Sequence, residues 1–598
     1  MRCLLAALLL FPSIAYAVAP ELCGSGLDEP GNTGGTTNGT DGSCPVGYGK
    51  SISGTGCDLL CPGADPDNDG YRSDGQIGTS GSAALDCDQT NKTVVPGAWT
   101  SAGCTGGQIH QCHATNGSYS TCVAQSAITC EATGSGVCYH VDCTSGNDAN
   151  AGTYAAPFKT LAKVSGGSGG SGMPASPVTL AAGDVVYVRG TLCNTTMTHS
   201  GSSGFIAQPV IGEFATNGTL ANKITVKAMP GATPIILTTD GMGFFVRGNH
   251  VKIQGLWFAT SKSTVNNGAG IISVGDYTTV ESSFFLGMTG DGNNNDACVY
   301  FTHTAGGKVF RSVFKDCKAF GGTNRQNLSA INWLDDAATA GECFDHEAKW
   351  NGITWTTAND SLAGNAFMFK HGCEQADVGA NKHPIQYNAI SNSYRVFRYE
   401  SSSLRFSNNV AVNSTEIGLQ WADGSSEKQQ DNEITDNTFV DMSQLAWDPP
   451  AYSAPEKLTI LRNVFRDNRS GYAGSGHEGI ISIDGYGSAG NKTTFETAPY
   501  YLSSNNNCFY NPNTALTWSY FSDGSGGGQL SFAQWKAQAA PYDAASFVEN
   551  PVFNSFYEAT SANCATKGRT YPAVVVTPGS PIKPCPIATL LKLLRRNK

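Results

Sequence analysis

The sequence predicts an all-β fold, a right-handed parallel β-helix behind a cysteine-rich, loop-rich N-terminal metal-binding module. Three observations predict the helix. Residues 143–161 read as a polar loop, a proline and a short amphipathic segment, and residues 183–190 follow as a β-branched strand that runs into glycine. Short strands ending in phenylalanine recur 27, 29 and 26 residues apart where neighbours can be paired. An asparagine recurs just before the last hydrophobic residue of such strands.

Each observation has a physical reason. A polar cap is needed because the first coil of a solenoid has no neighbour to cover it. Within a strand, successive side chains point to opposite faces, so a terminal Phe returns to the interior once per coil. The recurring Asn388, Asn409, Asn437 and Asn463 suit tight corners, because Asn tolerates the left-handed conformation. Stacked on successive coils, their side chains can also hydrogen-bond one another.

A β-sandwich is the alternative, since its strands also recur at short intervals. Hairpin dipeptides are scarce here, which favours the solenoid. Residues 143–161 and 183–190 closely resemble the entrance of secreted right-handed parallel β-helix proteins. Residues 530–537 and 545–553 resemble the closing run of those proteins, with a Trp-bearing helix and an Asn-Pro-x-Phe turn. The resemblance implies a solenoid over residues 137–587.

The two ends of the chain carry separate signals. Residues 1–17 combine a positive start, a short apolar run and an Ala-x-Ala site, which predicts a secretory signal peptide and an extracellular or cell-surface protein. This run is too short to span a bilayer, and no other stretch is long enough. Residues 588–598 are basic with paired leucines, and we expect a frayed tail or a short cap.

Composition narrows the function classes. The twenty Cys residues fit a protein of an oxidising compartment, in which disulfide bonds form. Cys104, His110 and Cys122 could instead bind zinc, which is the alternative to ordinary disulfide bridging. The formal net charge of −11, without a basic stripe, argues against nucleic-acid binding. We expect a monomer with no transmembrane segment.

The module at residues 18–136 contains an acidic loop. Asp65, Asp67 and Asp69 alternate with other residues before a glycine, and Asp86 and Asp88 follow. Carboxylates at alternate positions supply the oxygen ligands that calcium prefers, although Gln76 stands where an EF-hand needs Glu. Residues 65–98 resemble the thrombospondin-type-3-like metal-binding motif of MopE-like secreted proteins. This resemblance implies structural calcium on the five aspartates, and a solvated acidic turn is the alternative.

Parallel β-helices support many activities, so function must be argued from a site. Polygalacturonase-type and alginate-epimerase-type signatures are incomplete here. Lys370 ends an apolar strand, and Arg398 lies 28 residues later, roughly one coil on. This pair resembles the Lys-then-Arg pair of chondroitinase-B-like and alginate-lyase-like enzymes. The resemblance implies Lys370 as base and Arg398 as its partner. Arg395, and Lys382 and His383 at an inserted loop, are expected to bind substrate.

The chemistry that this resemblance implies is β-elimination of a uronic-acid-containing polysaccharide. A lysine base must lose its proton, which its ordinary pKa of about 10.4 opposes. A neighbouring arginine and burial both disfavour the ammonium form. Arginine also stabilises the enolate that forms at the substrate carboxylate. The alternative is a non-catalytic glycan-binding or adhesion scaffold, in which Lys370 is a solvent-facing residue.

Overall fold

The protein is described here from a computed structural model. The structure describes residues 48–50, 57–59, 99–100, 104, 108–111, 120–164, 174, 176–198, 209–238, 241–260, 269–290, 296–319, 327–334, 344–356, 361–370, 382–401, 403–414, 418–421, 431–442, 445–447, 456–466, 481–483, 500–511, 517–520, 528–537, 542–553 and 559–569. The chain divides into two compact units. One comprises residues 1–128, 553–558 and 571–598, and the other comprises residues 129–552 and 559–570.

The larger unit is a parallel β-helix, as the sequence predicts. Three long sheets, which we call A, B and C, contain 12, 12 and 13 strands, and neighbouring strands belong to successive coils. Each coil contributes one strand to A, then one to B, then one to C. Pairing is parallel except at the two ends of sheet C. Parallel crossovers are right-handed in nearly all proteins, which agrees with the predicted hand.

Sheet A comprises Cys138–Asp142, Val185–Arg189, Ile224–Ala228, Val251–Gln254, Thr279–Glu281, Lys308–Phe310, Glu347–Lys349, His383–Gln386, Leu404–Ser407, Asn432–Thr435, Glu456–Leu461 and Tyr500–Asn505. Sheet B comprises Leu192–Cys193, Ile235–Thr238, Trp257–Thr260, Phe284–Leu286, Val313–Lys315, Gly352–Thr354, Ala389–Ser391, Val410–Val412, Thr438–Val440, Val464–Arg466, Cys508–Tyr510 and Phe547–Val548. Sheet C comprises Met197–Thr198, Pro209–Phe214, Met242–Val246, Ala269–Ser273, Asp296–Thr302, Leu328–Leu334, Asn365–Lys370, Arg395–Tyr399, Leu419–Trp421, Leu445–Trp447, Ile481–Ile483, Thr517–Tyr520 and Gly528–Ser531.

The remaining elements are short. Thr289–Gly290 pairs with Lys318–Ala319, and the helical turns are Leu161–Val164 and Phe532–Lys536. In the smaller unit, the elements are Tyr48–Lys50, Cys57–Leu59, Trp99–Thr100, Gln108–Gln111, Val123–Ala124 and the helical turn Gln125–Ala127. No helix among these described elements is both long and apolar enough to cross a membrane.

Aspartates close the loops of the entrance segment. Asp148 accepts hydrogen bonds from the backbone N–H groups of Lys159 and Thr160, and Asp142 accepts from those of Thr144 and Ser145. These carboxylates give partners to polar groups that no neighbouring coil can reach. The entrance motif is therefore a capping motif: its acidic and small residues are fixed by hydrogen bonding and close packing.

Aromatic rings stack along the interior. Phe258, Phe285 and Phe314 form one column with centroid spacings of 4.9 and 4.7 Å. Phe439 and Phe465 continue the pattern with a spacing of 5.0 Å. These are the strand-ending phenylalanines of the repeat, and their spacing follows that of hydrogen-bonded strands. The interior position predicted for them is confirmed.

A second column consists of buried asparagines. The Nδ2 group of each donates to the Oδ1 atom of the next at 3.0–3.2 Å, and the coil lengths between them are 37, 21, 28, 26 and 44 residues. The column therefore remains regular although the coils differ twofold in length. Its members are Asn351, Asn388, Asn409, Asn437, Asn463 and Asn507. The predicted hydrogen bonding between stacked asparagines is confirmed.

The backbone conformation predicted for these asparagines is wrong. The left-handed residue is the one before each of them, for example Tyr387, Asn408, Asp436 and Arg462, with φ between 55° and 59°. The preceding residue turns the chain at the corner. The buried Asn can then direct its amide along the column and donate to a backbone carbonyl of the coil before it, as Asn409 does to Ile385 at 2.8 Å.

The last coil closes on one buried carboxylate. Asp543 accepts hydrogen bonds from Trp535 Nε1 at 2.7 Å, from the Ser504 and Ser546 hydroxyls at 2.8 and 2.6 Å, and from Asn507 Nδ2 at 2.9 Å. Asn507 is the final member of the asparagine column. Asp543 therefore terminates that column and anchors the Trp-bearing helix on the last coil.

Candidate functional site

The two candidate catalytic residues lie on adjacent strands of sheet C. Lys370 ends the strand Asn365–Lys370, and Arg398 belongs to Arg395–Tyr399 in the next coil. Phe367 and Phe369 are in the core, so strand alternation turns Lys370 to the outer face. The register aligns Met368 with Arg398, which places the Lys370 and Arg398 side chains on the same face.

Both cationic groups converge on one oxygen atom. Asn327 Oδ1 accepts hydrogen bonds from Lys370 Nζ and from Arg398 Nη1, each at 3.3 Å. Arg398 Nη2 also pairs with Glu400 Oε1 at 2.6 Å. Lys370 and Asn327 are half-buried, whereas Glu400 is almost fully buried. The structure therefore brings the predicted pair together, although 28 residues of chain separate them.

This arrangement can accept an oxygen ligand. An amine and a guanidinium that share one amide oxygen can also share a carboxylate oxygen that displaces it, because carboxylates accept charge-assisted hydrogen bonds more strongly. Glu400 orients the guanidinium through its second nitrogen. The cluster of Lys370, Arg398, Asn327 and Glu400 is the candidate functional site.

Two predicted substrate contacts are wrong. His383 is 0% exposed and packs among aromatic rings of the interior, where burial lowers its pKa to about 4. Arg395 is 4% exposed, and its guanidinium lies over the Tyr394 ring at 4.7 Å from the centroid. Both side chains are packed inside the protein, so neither can contact a glycan in solution. Sequence position near Lys370 and Arg398 did not reveal this burial.

Lys382 also has a structural partner set. Its Nζ lies 3.1 Å from Asp431 Oδ2 and also forms an ion pair with Glu433. The Lys382 side chain is only 7% exposed, and its charge is balanced by Glu433 of sheet A and by Asp431, which directly precedes the same strand. The structure thus shows an inter-coil ion pair in place of the predicted substrate contact.

An earlier basic cluster on the chain is likewise paired. Lys308 contacts Asp345 and Glu347, Arg311 contacts Glu281, and Lys318 contacts Asp316. Burial is the main cause that lowers the pKa of Lys315. Charges of both signs therefore alternate here, which is typical of a solvated face and does not favour an anion-binding groove.

The metal predictions have different outcomes. Cys104 and Cys122 form a disulfide, and His110 Nδ1 lies 3.7 Å from Cys122 Sγ. The structure thus shows a disulfide and not a zinc site at these residues, because the two sulfur atoms are bonded to each other. The five aspartates predicted to bind calcium, at positions 65, 67, 69, 86 and 88, lie outside the described residues.

Sequence reasoning missed Asn327 and Glu400. Asn327 begins an Asn-x-Ser sequence, and its side chain reaches Lys370 from 43 residues away. Glu400 follows Arg398 by two residues, so strand alternation could have placed it on the same face. No sequence signal identifies Asn327, because its position depends on how the coils stack.

Comparisons with known proteins give distant similarities. No protein-family model matches the chain, and no curated protein matches it. Among solved structures it is similar to a rhamnogalacturonan lyase, with 13% identity over 62% of this chain and 87% of that chain and a TM-score of 0.41. It is also similar to a GH136 lacto-N-biosidase from Eubacterium ramulus (13% identity, 56% and 64% of the two chains, TM-score 0.33) and to pectate lyase Pel9A (14%, 76% and 91%, 0.29). All these TM-scores are below 0.5, so the fold is established by the chain's own sheets.

Proposed function

We propose that this protein cleaves a uronic-acid-containing polysaccharide by β-elimination, with Lys370 as the base and Arg398 as the group that stabilises the substrate carboxylate. The observation that carries the proposal is the convergence of Lys370 Nζ and Arg398 Nη1 on Asn327 Oδ1. Two cationic side chains from different coils then lie within reach of one bound carboxylate and of the carbon beside it.

The reaction has a defined proton and electron balance. Arg398 binds the carboxylate of the uronic acid and lowers the energy of the enolate form. The neutral amine of Lys370 removes the proton from the neighbouring carbon, and the C–H electrons form the enolate. The enolate then collapses to a carbon–carbon double bond, and the glycosidic C–O bond breaks. The leaving oxygen takes a proton from water or from the Lys370 ammonium.

Activity on pectate, alginate and chondroitin sulfate tests this proposal through the ultraviolet absorbance of the unsaturated product. We expect Lys370→Ala to reduce the rate by about 10²–10⁴-fold, the usual contribution of a general base. Lys370→Arg should lose activity as well, because arginine keeps the charge but cannot deprotonate. The parent rate should rise with pH as the Lys370 amine loses its proton.

Arg398→Lys should reduce the rate by about 10²–10³-fold, the loss typical of removing one electrostatic stabiliser. Lys567→Ala is the matched control, because Lys567 is half-buried, as Lys370 is, and its amine hydrogen-bonds to the adjacent Thr566. Thermal unfolding of each variant separates lost chemistry from lost folding. Full activity in Lys370→Ala, or no cleavage of any of the three glycans by the parent, contradicts the proposal and favours the binding-scaffold alternative.

A further inference from the structure

The strands of sheet A and those of sheet C differ in how their two faces are buried. In sheet A, buried and half-buried residues alternate along Val251–Gln254 and along His383–Gln386, so the outer face of each strand reaches solvent. In sheet C, four successive strands are instead buried at every residue, so both of their faces are covered. They are Met242–Val246, Ala269–Ser273, Asp296–Thr302 and Leu328–Leu334.

The sequences of these four strands explain the difference. A strand that is buried on both faces reads as an apolar run, whereas a strand with one solvated face alternates apolar and polar residues. The outward side chains of the four strands include Phe245, Ile272, Tyr300 and Leu334, which are at most 3% exposed and belong to a second apolar cluster. Ala162 of the entrance segment belongs to the same cluster. This burial arises within one chain, so the protein itself covers the outer face of sheet C in these coils.

The covered face ends at the candidate site. The next two strands of sheet C are those of Lys370 and Arg398, and these two residues are half-buried. Among the described residues of the six strands, they are the only ones that are not buried. Leu334, which is paired with Lys370 on the preceding strand, is 3% exposed, and Met368, which is paired with Arg398, is 0% exposed.

The residues that follow Arg398 are buried as well. Tyr399 is in the core, and Glu400 and Ser401 are almost fully buried. On the side of the preceding coil, Asn327 contacts both cationic groups. In the described part of the chain, Lys370 and Arg398 therefore lie in a pocket that is bounded toward the N-terminal coils. The described face offers no groove that continues past them in that direction.

We propose that this pocket accepts the end of an acidic polysaccharide chain, so that the protein is an exolytic lyase. This inference rests on the proposed function of Lys370 and Arg398. An enzyme that cuts inside a chain binds several sugar units on each side of the broken bond, which requires a groove open on both sides. Here the covered strand lies only about 4.8 Å from the strand of Lys370, which leaves space for about one sugar unit on that side.

Viscosity and ultraviolet absorbance, measured together on digests of pectate, alginate and chondroitin sulfate, test the inference. Release from chain ends forms the unsaturated product while the polymer stays long. We therefore expect the absorbance to rise early while the viscosity stays nearly constant. Chromatography of the earliest products should show mono- and disaccharides without a ladder of longer fragments.

The same polysaccharide shortened by mild acid hydrolysis is the matched substrate. At equal mass and below saturation, the rate should increase in proportion to the number of chain ends, because the ends are the sites of attack. Cutting inside the chain predicts a rate that depends on mass and not on the number of ends.

A pair of variants tests the covered strand as the boundary of the pocket. Leu334→Ala removes a side chain next to Lys370 on the outer face, so longer products should appear. Leu458→Ala is the matched control, because it truncates the same buried residue type in the interior at sheet A and should leave the products unchanged. Thermal unfolding of both variants measures their stability. If Leu334→Ala does not fold, the viscosity and chain-end measurements on the parent decide.

The outcomes separate this inference from the proposed function. An early fall in viscosity that accompanies the rise in absorbance overturns the exolytic inference and leaves β-elimination standing. Unchanged products from a folded Leu334→Ala variant overturn the covered strand as the boundary. No rise in absorbance with any of the three glycans contradicts the proposed function, and the exolytic inference fails with it.

Discussion

Asn409 shows how one side chain can connect several coils. Its Nδ2 group donates to Ile385 O and to Asn437 Oδ1, and its Oδ1 accepts from the backbone N–H and the Nδ2 group of Asn388. These hydrogen bonds are buried, so removing the Asn409 side chain leaves donors and acceptors that water cannot reach and that have lost their partners. The energetic effect of the column therefore comes from the cost of an unmade bond, which is larger than the gain from a formed one.

We expect Asn409→Ala to lower the free energy of unfolding by about 3 kcal/mol, because several buried polar groups lose their partners at once. Urea unfolding followed by circular dichroism measures this change. Asn563→Ala is the matched control, since Asn563 donates to Glu549 from an exposed position and should change stability by less than about 0.5 kcal/mol. Equal effects of the two substitutions would contradict the role of the column.

His383 is a buried histidine through which pH is expected to affect stability. It is fully buried and stacks on His346 with centroids 5.5 Å apart. Desolvation is the first cause that lowers the pKa of each, to about 4 for His383 and well below the ordinary value for His346. Within the described residues, neither His383 ring nitrogen has a hydrogen-bond partner. The interior thus favours the neutral form of both rings.

The sign follows from the depressed pKa. Below about pH 6.5 the His383 side chain binds a proton in the unfolded chain, whereas in the folded protein it stays neutral until about pH 4. Stability therefore falls as the pH decreases from about 6.5 to about 4. A pKa lowered from 6.5 to about 4 corresponds to an expected loss of about 3 kcal/mol. We expect His383→Phe to reduce the loss in urea unfolding series measured across the window. An unchanged pH dependence in this variant would show that His383 does not cause it.

At the scale of elements, the ends of the solenoid differ from its middle. Middle strands have a hydrogen-bonded neighbour on both sides, whereas the end segments depend on side-chain caps. Asp142 and Asp148 serve the entrance, and Asp543 serves the exit. The disulfides Cys143–Cys193 and Cys508–Cys564 lie near the same two ends. Each end, where stacking is one-sided, thus has both a carboxylate cap and a disulfide nearby.

We expect Asp543→Ala to destabilise the last coil by about 3 kcal/mol, because four hydrogen bonds to a buried carboxylate are lost. Hydrogen exchange should increase in residues 500–548 and remain unchanged in the strands near Phe285. Local loosening is expected because each coil contacts only its neighbours. An increase spread evenly over all coils would indicate that Asp543 stabilises the whole solenoid.

At the scale of the whole molecule, the chain divides into two compact units. The β-helix has a continuous apolar interior, from Val141 near the entrance to Trp535 near the exit. Charged residues are only 14% of the sequence, and most of those described on sheet A form ion pairs between coils. The acidic N-terminal module, by contrast, offers carboxylates at short spacing, for which we propose structural calcium.

Calcium binding is expected to raise the unfolding temperature of the full-length protein. In the variant with Asp65, Asp67 and Asp69 all replaced by Asn, this rise should disappear, because neutral amides are weaker ligands for a hard cation. Differential scanning calorimetry with calcium or a chelator measures both. A parent that shows no calcium-dependent shift and no calorimetric heat of binding would contradict the proposal, and magnesium at the same concentration is the control.

The sequence by itself determined the fold class, the interior phenylalanines and the asparagine column. These features recur once per coil within a recognisable strand pattern. The pattern can be identified in the sequence even though the coils vary in length from 21 to 44 residues. The resemblance to β-helix lyases pointed to Lys370 and Arg398, and both side chains lie on one face of sheet C; their catalytic roles remain a proposal. The structure of the chain agrees with each of these points.

Only the tertiary structure decided which polar residues are accessible. His383 and Arg395 lie beside the site in sequence but are buried, and Asn327 completes the site from 43 residues away. The left-handed corner residue is shifted by one from the predicted Asn for the same reason. Which side of a strand or corner a residue faces depends on bulges, loops and stacking between coils, and these contacts are not encoded in local spacing.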